Sequence, residues 1–186
     1  MTHLNLSGYP GAGKTTIFNL FLDIYPETVV IPKVTTRPRR PEEGDLEYIF
    51  LSNSEFESKC ALGQIVGVEE IPQKGIICYY GIPTPALWPP VPSSTKILLS
   101  LFGEKAPEVR GQFLPGMKLI FLSLSDKPLL VERLRERCMV DGSDFQARFN
   151  LIQSYLSSGI EDLYDHIVNN DTSPEECLEK IISLIT

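Results

Sequence analysis

Eight consecutive residues near the start of the chain carry its clearest chemistry: Gly8-Tyr9-Pro10-Gly11-Ala12-Gly13-Lys14-Thr15. They match G-x-x-x-x-G-K-[ST], the loop that cradles nucleoside triphosphate phosphates. Glycine adopts positive φ without steric cost, so successive backbone N–H groups can turn inward around an anion. Lys14 has the reach for the β- and γ-phosphates, and the Thr15 hydroxyl suits Mg²⁺. Gly8, Gly11, Ala12, Gly13, Lys14, Thr15 and Thr16 are therefore read as the ATP-binding stretch, with Lys14 catalytic and Thr15 the metal contact.

Two further sets of cations suit phosphate. Thr35-Thr36-Arg37-Pro38-Arg39-Arg40 places Arg37 and Arg40 in a segment bounded by proline. Guanidinium forks bind phosphate bidentately, as lysine cannot, and two of them suit one dianionic phosphate. An exposed basic turn is the competing reading of the same residues. Arg133, Arg137 and Arg148 flank residues 138–143. Arginines supplied by a closing lid stabilise the charge that phosphoryl transfer develops. The competing reading is an ordinary helix face, with Glu132, Arg133, Arg135 and Glu136 paired among themselves.

These groups need elements to hold them. His3 to Ser7 alternates as a strand does, and Thr15 to Asp23 reads as a helix with Ile17, Leu20 and Phe21 on one face. That helix aims its positive end at the phosphates. Short strands are predicted at Thr28–Ile31, Glu47–Leu51, Ile65–Val68 and Ile76–Tyr80, with a short helix over 54–62. Residues 34–41 are too proline-rich for a helix or a central strand. Five prolines within 83–95 make an irregular connector with one helical turn near 86–88. Ile97–Leu101 and Leu119–Leu124 are nearly continuous apolar runs, the mark of a parallel sheet covered by helices. Helices are predicted over 127–137 and 144–163, with a loop between them and a strand at 167–168. The closing helix begins at Ser173-Pro174, with Ser173 as cap and Glu176 completing a capping box. Leu178, Ile181, Ile182 and Ile185 form its core stripe.

Composition narrows the class. The 186 residues carry a net charge of −7, a poor match for nucleic acid, which requires a basic footprint. No apolar run approaches the ~20 residues of a membrane span, and no basic segment precedes an apolar one as in a secretory leader. The four cysteines are far apart and lack a C-x-x-C pair. They read as free thiols in a reducing, cytoplasmic setting. His3 and His166 lie near no nucleophile in sequence and are read as structural.

With these segments in view, the chain resembles guanylate kinase nearly end to end. The family carries T-T-R-x-x-R, then E-x-x-G-x-D-Y-x-F, N-Y-Y-G-[ST], an arginine-bearing lid and V-N-D. Here these read Thr35 to Arg40, Glu42 to Phe50 with Tyr48 in register, Cys78-Tyr79-Tyr80-Gly81-Ile82, Arg133 to Arg148, and Val168-Asn169-Asn170-Asp171. The resemblance implies that Arg37, Arg40, Tyr48 and Tyr80 hold the phosphate of an acceptor. It also implies that Arg137 and Arg148 contact the transition state and that Arg133 and Asn169 sit nearer ATP. The guanine-reading positions depart from the pattern. Lys33 stands for a Ser, Gly67 for a Glu unless Glu69 or Glu70 takes that role, Ile82 for a Ser or Thr, and Leu99 to Leu101 for a strand bearing an Asp. Guanine selectivity is therefore expected to be weakened, with GMP not the preferred acceptor. Asp126 is a candidate second metal ligand, but reads better as a helix cap.

The expected fold is α/β: a P-loop-type parallel sheet with helices on both faces, a small β-rich acceptor lobe and a lid. One domain is expected, with its core near 1–30 and 96–186, the lobe near 31–82 and the lid near 136–148. The expected activity is ATP-dependent phosphoryl transfer, with Mg²⁺, to a nucleoside monophosphate. Alternatives are guanylate kinase activity with a rearranged base site, a kinase of ribose bisphosphate or a similar phosphorylated sugar, and a non-catalytic binding module of the same fold. A GTPase switch is disfavoured because no N-K-x-D motif occurs.

Overall fold

The computed structural model describes residues 1–39, 46–73, 75–95, 97–141 and 144–185. Its elements run β1 (Thr2–Gly8), α1 (Lys14–Ile24), β2 (Val29–Ile31), β3 (Lys33–Thr35), β4 (Tyr48–Phe50), α2 (Asn53–Ala61), β5 (Ile65–Gln73), β6 (Ile76–Pro83), β7 (Ile97–Ser100), α3 (Ala106–Phe113), β8 (Lys118–Ser123), α4 (Lys127–Asp141), α5 (Phe145–Ser158), β9 (His166–Asn169) and α6 (Pro174–Ile185). The strands build a five-stranded parallel sheet, in the order β2-β7-β1-β8-β9, and a four-stranded sheet, β4-β3-β6-β5. Helices flank the larger sheet, as expected for an α/β fold of this type.

The chain divides into two compact units. The first, Met1–Asn5 with Glu27–Met117, holds β2, β7 and the start of β1 together with the whole smaller sheet. Leu4 and Val30 both register against Leu99 of β7. In the smaller sheet β5 and β6 form one antiparallel hairpin, and β3 pairs with both β4 and β6. Val34, Phe56 and Ile65 make its core, with Ile49, Leu51 and Tyr79 packed against them. Helix α2 starts with a complete capping box between Ser52 and Glu55.

The second unit, Leu6–Pro26 with Lys118–Thr186, holds the end of β1 with β8 and β9 and helices α1, α4, α5 and α6. Leu119, Ile120, Phe121 and Leu122 of β8 are fully buried, which is why this strand has no polar alternation. The Ser173 hydroxyl accepts from the Glu176 N–H at the start of α6, whose Cys177, Leu178 and Ile181 face the core.

Several sequence expectations are corrected. Residues 138–141 continue α4 rather than forming a loop; Cys138 is buried on that helix and no glycine or proline intervenes before Gly142. The helix expected over 144–163 ends at Ser158, because Gly159 adopts φ 63° and turns the chain into a 3-10 segment over 160–163. Lys33–Thr35 forms an interior strand, since Pro32 and Pro38 lie on either side of it and none of its own residues is proline. Strands β5 and β6 extend past the expected 68 and 80, because pairing within the hairpin prolongs both. Helix α3 was not expected; a proline in its first turn marks its start.

Candidate active site

The phosphate loop lies in the second unit, between β1 and α1. Backbone bonds shape it: Tyr9 N–H donates to Leu122 O at 3.2 Å, Ala12 N–H to Tyr9 O at 3.1 Å, and Ile17 N–H to Gly13 O at 3.1 Å. Gly13 has φ 90°, and a Cβ there would lie 2.4 Å from Asn170 Nδ2, so no other residue fits this turn. A Cβ on Gly11 would come within 3.1 Å of Leu130 O, because the loop runs close against the backbone of α4. Lys14 Nζ donates to Gly8 O and Tyr9 O, both at 2.9 Å. Its ammonium thus waits on two carbonyls beside the place an anion would occupy.

Gly11, Gly13, Thr15, Thr16, Arg133 and Arg137 line one cavity of about 310 Å³. The loop and two of the three arginines named from sequence therefore meet. Ala12 is fully buried beneath the loop. Arg148 lies half-buried on α5 and is not part of this lining.

Asn169, expected near ATP, is an exposed residue at the end of β9. Its neighbour Asn170 is the one that touches the loop: it is 5% exposed and its Nδ2 donates to Ala12 O at 3.0 Å. Arg133 in turn donates to Asn170 O at 3.4 Å. Sequence reading missed Asn170, although the doubled Asn169-Asn170 offered both candidates. Asp171 accepts from the Ser125 hydroxyl and from its N–H, the latter at 2.9 Å, and these bonds hold its carboxyl below the usual range, with Arg133 adding to the effect. Asp126 accepts from Leu129 N–H at 3.4 Å, as a cap on α4.

Mg²⁺ in such sites keeps several waters and takes one or two protein oxygens besides substrate phosphates. The exposed Thr15 hydroxyl at the cavity wall fits that requirement. Among the described residues no cluster of three His, Cys, Asp or Glu side chains offers an all-protein cage.

The second group of predicted residues lies in the first unit. Thr35 Oγ1 donates to Tyr79 O at 2.9 Å and accepts from Arg37 N–H, while Thr36 Oγ1 accepts from Tyr79 N–H at 2.9 Å. These bonds stitch the Thr-Thr-Arg segment to β6 and bring Arg37 beside the tyrosines. Arg37 is 5% exposed, its guanidinium 5.1 Å from the Tyr48 ring centroid and 5.4 Å from that of Phe50. Tyr48 meets Tyr80 edge-on at 6.4 Å. Arg39, not named from sequence, stacks on Phe50 at 4.7 Å. Arg40 lies outside the described residues.

The positions expected to have lost their base-reading groups divide. Ile82 and Leu99 are core, and Ser100 Oγ is spent on Asn5 Oδ1 at 3.1 Å. Lys33 is different. Its Nζ lies 5.6 Å from the Tyr80 ring centroid and 3.8 Å from Glu69 Oε2. Strand β5 carries an extra residue between Val66 and Glu69, with Gly67 at φ 58°, and this bulge sets Glu69 opposite Tyr80. Without the extra residue, Val68 would stand there. Glu69 Oε1 is buried and accepts from no donor among the described residues. The Glu104 carboxyl lies beside Glu69 and adds to the upward push on it. Burial pushes the Glu69 carboxyl up and the Lys33 ammonium down, outweighing the attraction between them. The result is a desolvated cluster of one cation and two carboxyl groups next to Tyr80.

A strand–loop–helix phosphate cradle with arginines on its wall defines the chain as a P-loop phosphotransferase. The family model described as guanylate kinase matches residues 1–186. The guanylate kinase of Chlorobium luteolum is 30% identical over 177 residues, 95% of this chain and 86% of that protein. That of Gloeobacter violaceus is 31% identical over 182 residues, 96% of this chain and 85% of that protein. A crystal structure of guanylate kinase from Anaplasma phagocytophilum shares the fold at TM-score 0.64 and 24% identity, covering 98% of this chain and 83% of that one. The chain belongs to the guanylate kinase family. It is a phosphotransferase that moves a phosphoryl group from ATP to a nucleoside monophosphate. No helix among the described residues is long and apolar enough to cross a membrane.

Proposed function

We propose that the nucleoside monophosphate is GMP, read by Lys33, Glu69 and Glu104. This replaces the expectation drawn from linear alignment, in which most base-reading groups were gone. The observation that carries it is the desolvated cluster beside Tyr80: one ammonium, and a buried carboxylate oxygen that accepts from no donor among the described residues. A guanine edge presents a carbonyl acceptor followed by ring N–H and amino donors. Lys33 can donate to the first, and the two carboxyl groups can accept from the others. The names of the relatives point to the same acceptor.

In this reading Arg37, Arg40, Tyr48 and Tyr80 hold the acceptor phosphate. Gly8, Gly11, Ala12, Gly13, Lys14, Thr15, Thr16, Arg133 and Asn169 hold ATP. Lys14 leaves the Gly8 and Tyr9 carbonyls for the β- and γ-phosphates. Arg137 and Arg148 neutralise charge that grows on the moving phosphoryl group, so catalysis is positioning plus electrostatics with no covalent protein intermediate. Mg²⁺ on the Thr15 hydroxyl would supply further neutralisation of that charge. The organisation goes with it as a proposal: one domain with a core near 1–30 and 96–186, an acceptor lobe near 31–82 and a lid near 136–148. Free thiols at Cys60, Cys78, Cys138 and Cys177 support a cytoplasmic setting, and the net charge of −7 argues against nucleic acid as partner.

The test compares kcat/KM for GMP, IMP, AMP, UMP, ribose bisphosphate and guanosine, read as ADP release. GMP should lead, and IMP, lacking the amino donor, should lose about tenfold or more, the scale of one charge-assisted hydrogen bond. Glu69→Gln should narrow the gap between GMP and AMP. AMP, UMP or the sugar outperforming GMP would show that the cluster reads something else. Equal use of guanosine would remove the acceptor-phosphate role of the arginines.

A further inference from the structure

Tyr9 stands where the phosphate loop leaves β1, and it is 1% exposed. Its carbonyl accepts from Lys14 Nζ at 2.9 Å. Its side chain points to other partners. The ring meets Phe121 edge-on at 5.0 Å and Tyr155 at 6.2 Å, and Lys127 Nζ lies 4.7 Å from the ring centroid. The hydroxyl donates to the Glu161 carboxylate. Glu161 Oε1 also accepts from Ser123 Oγ at 2.8 Å and Lys127 Nζ at 3.2 Å, and Lys127 Nζ donates to Ser123 Oγ at 2.6 Å. About a third of each charged side chain in this pair is exposed, so solvent screens its energy and geometry is its main contribution.

The places of these partners in the chain give the cluster its meaning. Lys127 is the first residue of α4, which carries Arg133 and Arg137. Glu161 follows Gly159, the left-handed residue that ends α5, and Tyr155 lies in the last turn of α5, which carries Arg148. Helices α4 and α5 pack on each other. One tyrosine of the phosphate loop is therefore bonded to the roots of both arginine-bearing helices. Its own peptide holds the lysine that must move when phosphate arrives.

We propose that Tyr9, acting through Glu161 and Lys127, is a positioning residue that passes occupancy of the phosphate loop to α4 and α5 and so sets Arg133 and Arg137 on a bound triphosphate. When Lys14 leaves for phosphate, the Tyr9 carbonyl loses that donor, and the anchored ring carries the adjustment to Lys127 and Glu161. The proposal rests on the donor site described above.

The test is amide hydrogen exchange on the full chain, with and without a non-hydrolysable ATP analogue and Mg²⁺, for wild type, Tyr9→Phe and Lys127→Met. Tyr9→Phe keeps every ring contact and removes only the hydroxyl. In wild type the analogue should slow exchange in both the loop and α4–α5. In each variant it should still protect the loop but no longer α4–α5. In parallel, kcat should fall about tenfold while KM for ATP stays within about twofold, the pattern of a lost transition-state interaction. Undiminished α4–α5 protection in both variants overturns the coupling. Loop protection without α4–α5 protection in wild type overturns it too, and leaves the donor site standing. No protection anywhere in wild type removes the donor site and the coupling together.

Discussion

Lys14 and Asn170 show how single side chains hold the phosphate loop. Lys14 is bonded to two carbonyls of its own loop. In a loop of this kind the lysine neutralises phosphate charge directly. Lys14→Ala should therefore lower kcat by about 10²-fold or more, while far-UV circular dichroism and the melting temperature stay near wild type. A folded Lys14→Ala protein with normal turnover would end the kinase reading of this loop. Asn170 acts from beneath. Its amide satisfies the buried Ala12 carbonyl and fills the space that Gly13 leaves open. Asn170→Ala would strand that carbonyl at a cost of about 1–3 kcal/mol. Asn169→Ala, at an exposed position, should change stability little. Denaturant titration of the two variants checks the order, and equal stabilities would contradict the contact.

At the level of elements, α4 and α5 assign different standing to arginines that look alike in sequence. Helix α4 runs unbroken to Asp141, and its Arg133 and Arg137 line the cavity with the loop. Arg148 on α5 does not. If the closed state brings Arg148 in, it contributes only to the transition state. Arg137→Ala should thus lower kcat by about 10²-fold with a moderate rise in KM for ATP, and Arg148→Ala should lower kcat alone. Steady-state kinetics on both variants decide this. A change confined to KM in either would make that residue a ground-state contact. The same scale explains why α6 was legible: Ser173 with Glu176 three residues on is a start signal written within one turn, and Ser52 with Glu55 is the same signal at α2, which the sequence reading did not use. Helix α3 carries only a proline and an interior Gly111, weak signals beside tertiary packing.

For the molecule as a whole, His3 sets an acid limit. It is 7% exposed between Trp88 and Phe102, and neither ring nitrogen has a partner among the described residues. Burial lowers its pKa from 6.5 to about 4. Between these values the unfolded chain binds a proton that the folded chain does not, so stability rises with pH there. The contribution is complete above 6.5 and is lost as pH falls toward 4, amounting to about 3 kcal/mol across the window. Urea denaturation of wild type and His3→Phe at pH 7, 5.5 and 4.5 isolates it from the carboxylates, which titrate in both. The wild type should lose more stability than the variant on acidification. Parallel losses would mean that His3 is solvated in the native state.

The sequence by itself determined what contiguous residues can encode. The phosphate loop is legible because its glycines, lysine and threonine act through local backbone geometry. Strands β7 and β8 are legible because a strand buried on both faces needs an unbroken apolar run. The tertiary structure decided which side chains meet. Lys33, Glu69 and Glu104 come from β3, β5 and the turn after β7, and a single extra residue in β5 selects Glu69 over Val68 to face Tyr80. A shift of one residue along a strand exchanges its faces, and no local pattern reveals where such a shift falls. Tyr9 and Glu161 likewise stand far apart in the chain, and only the return of β9 beside β8 brings the carboxylate to the loop.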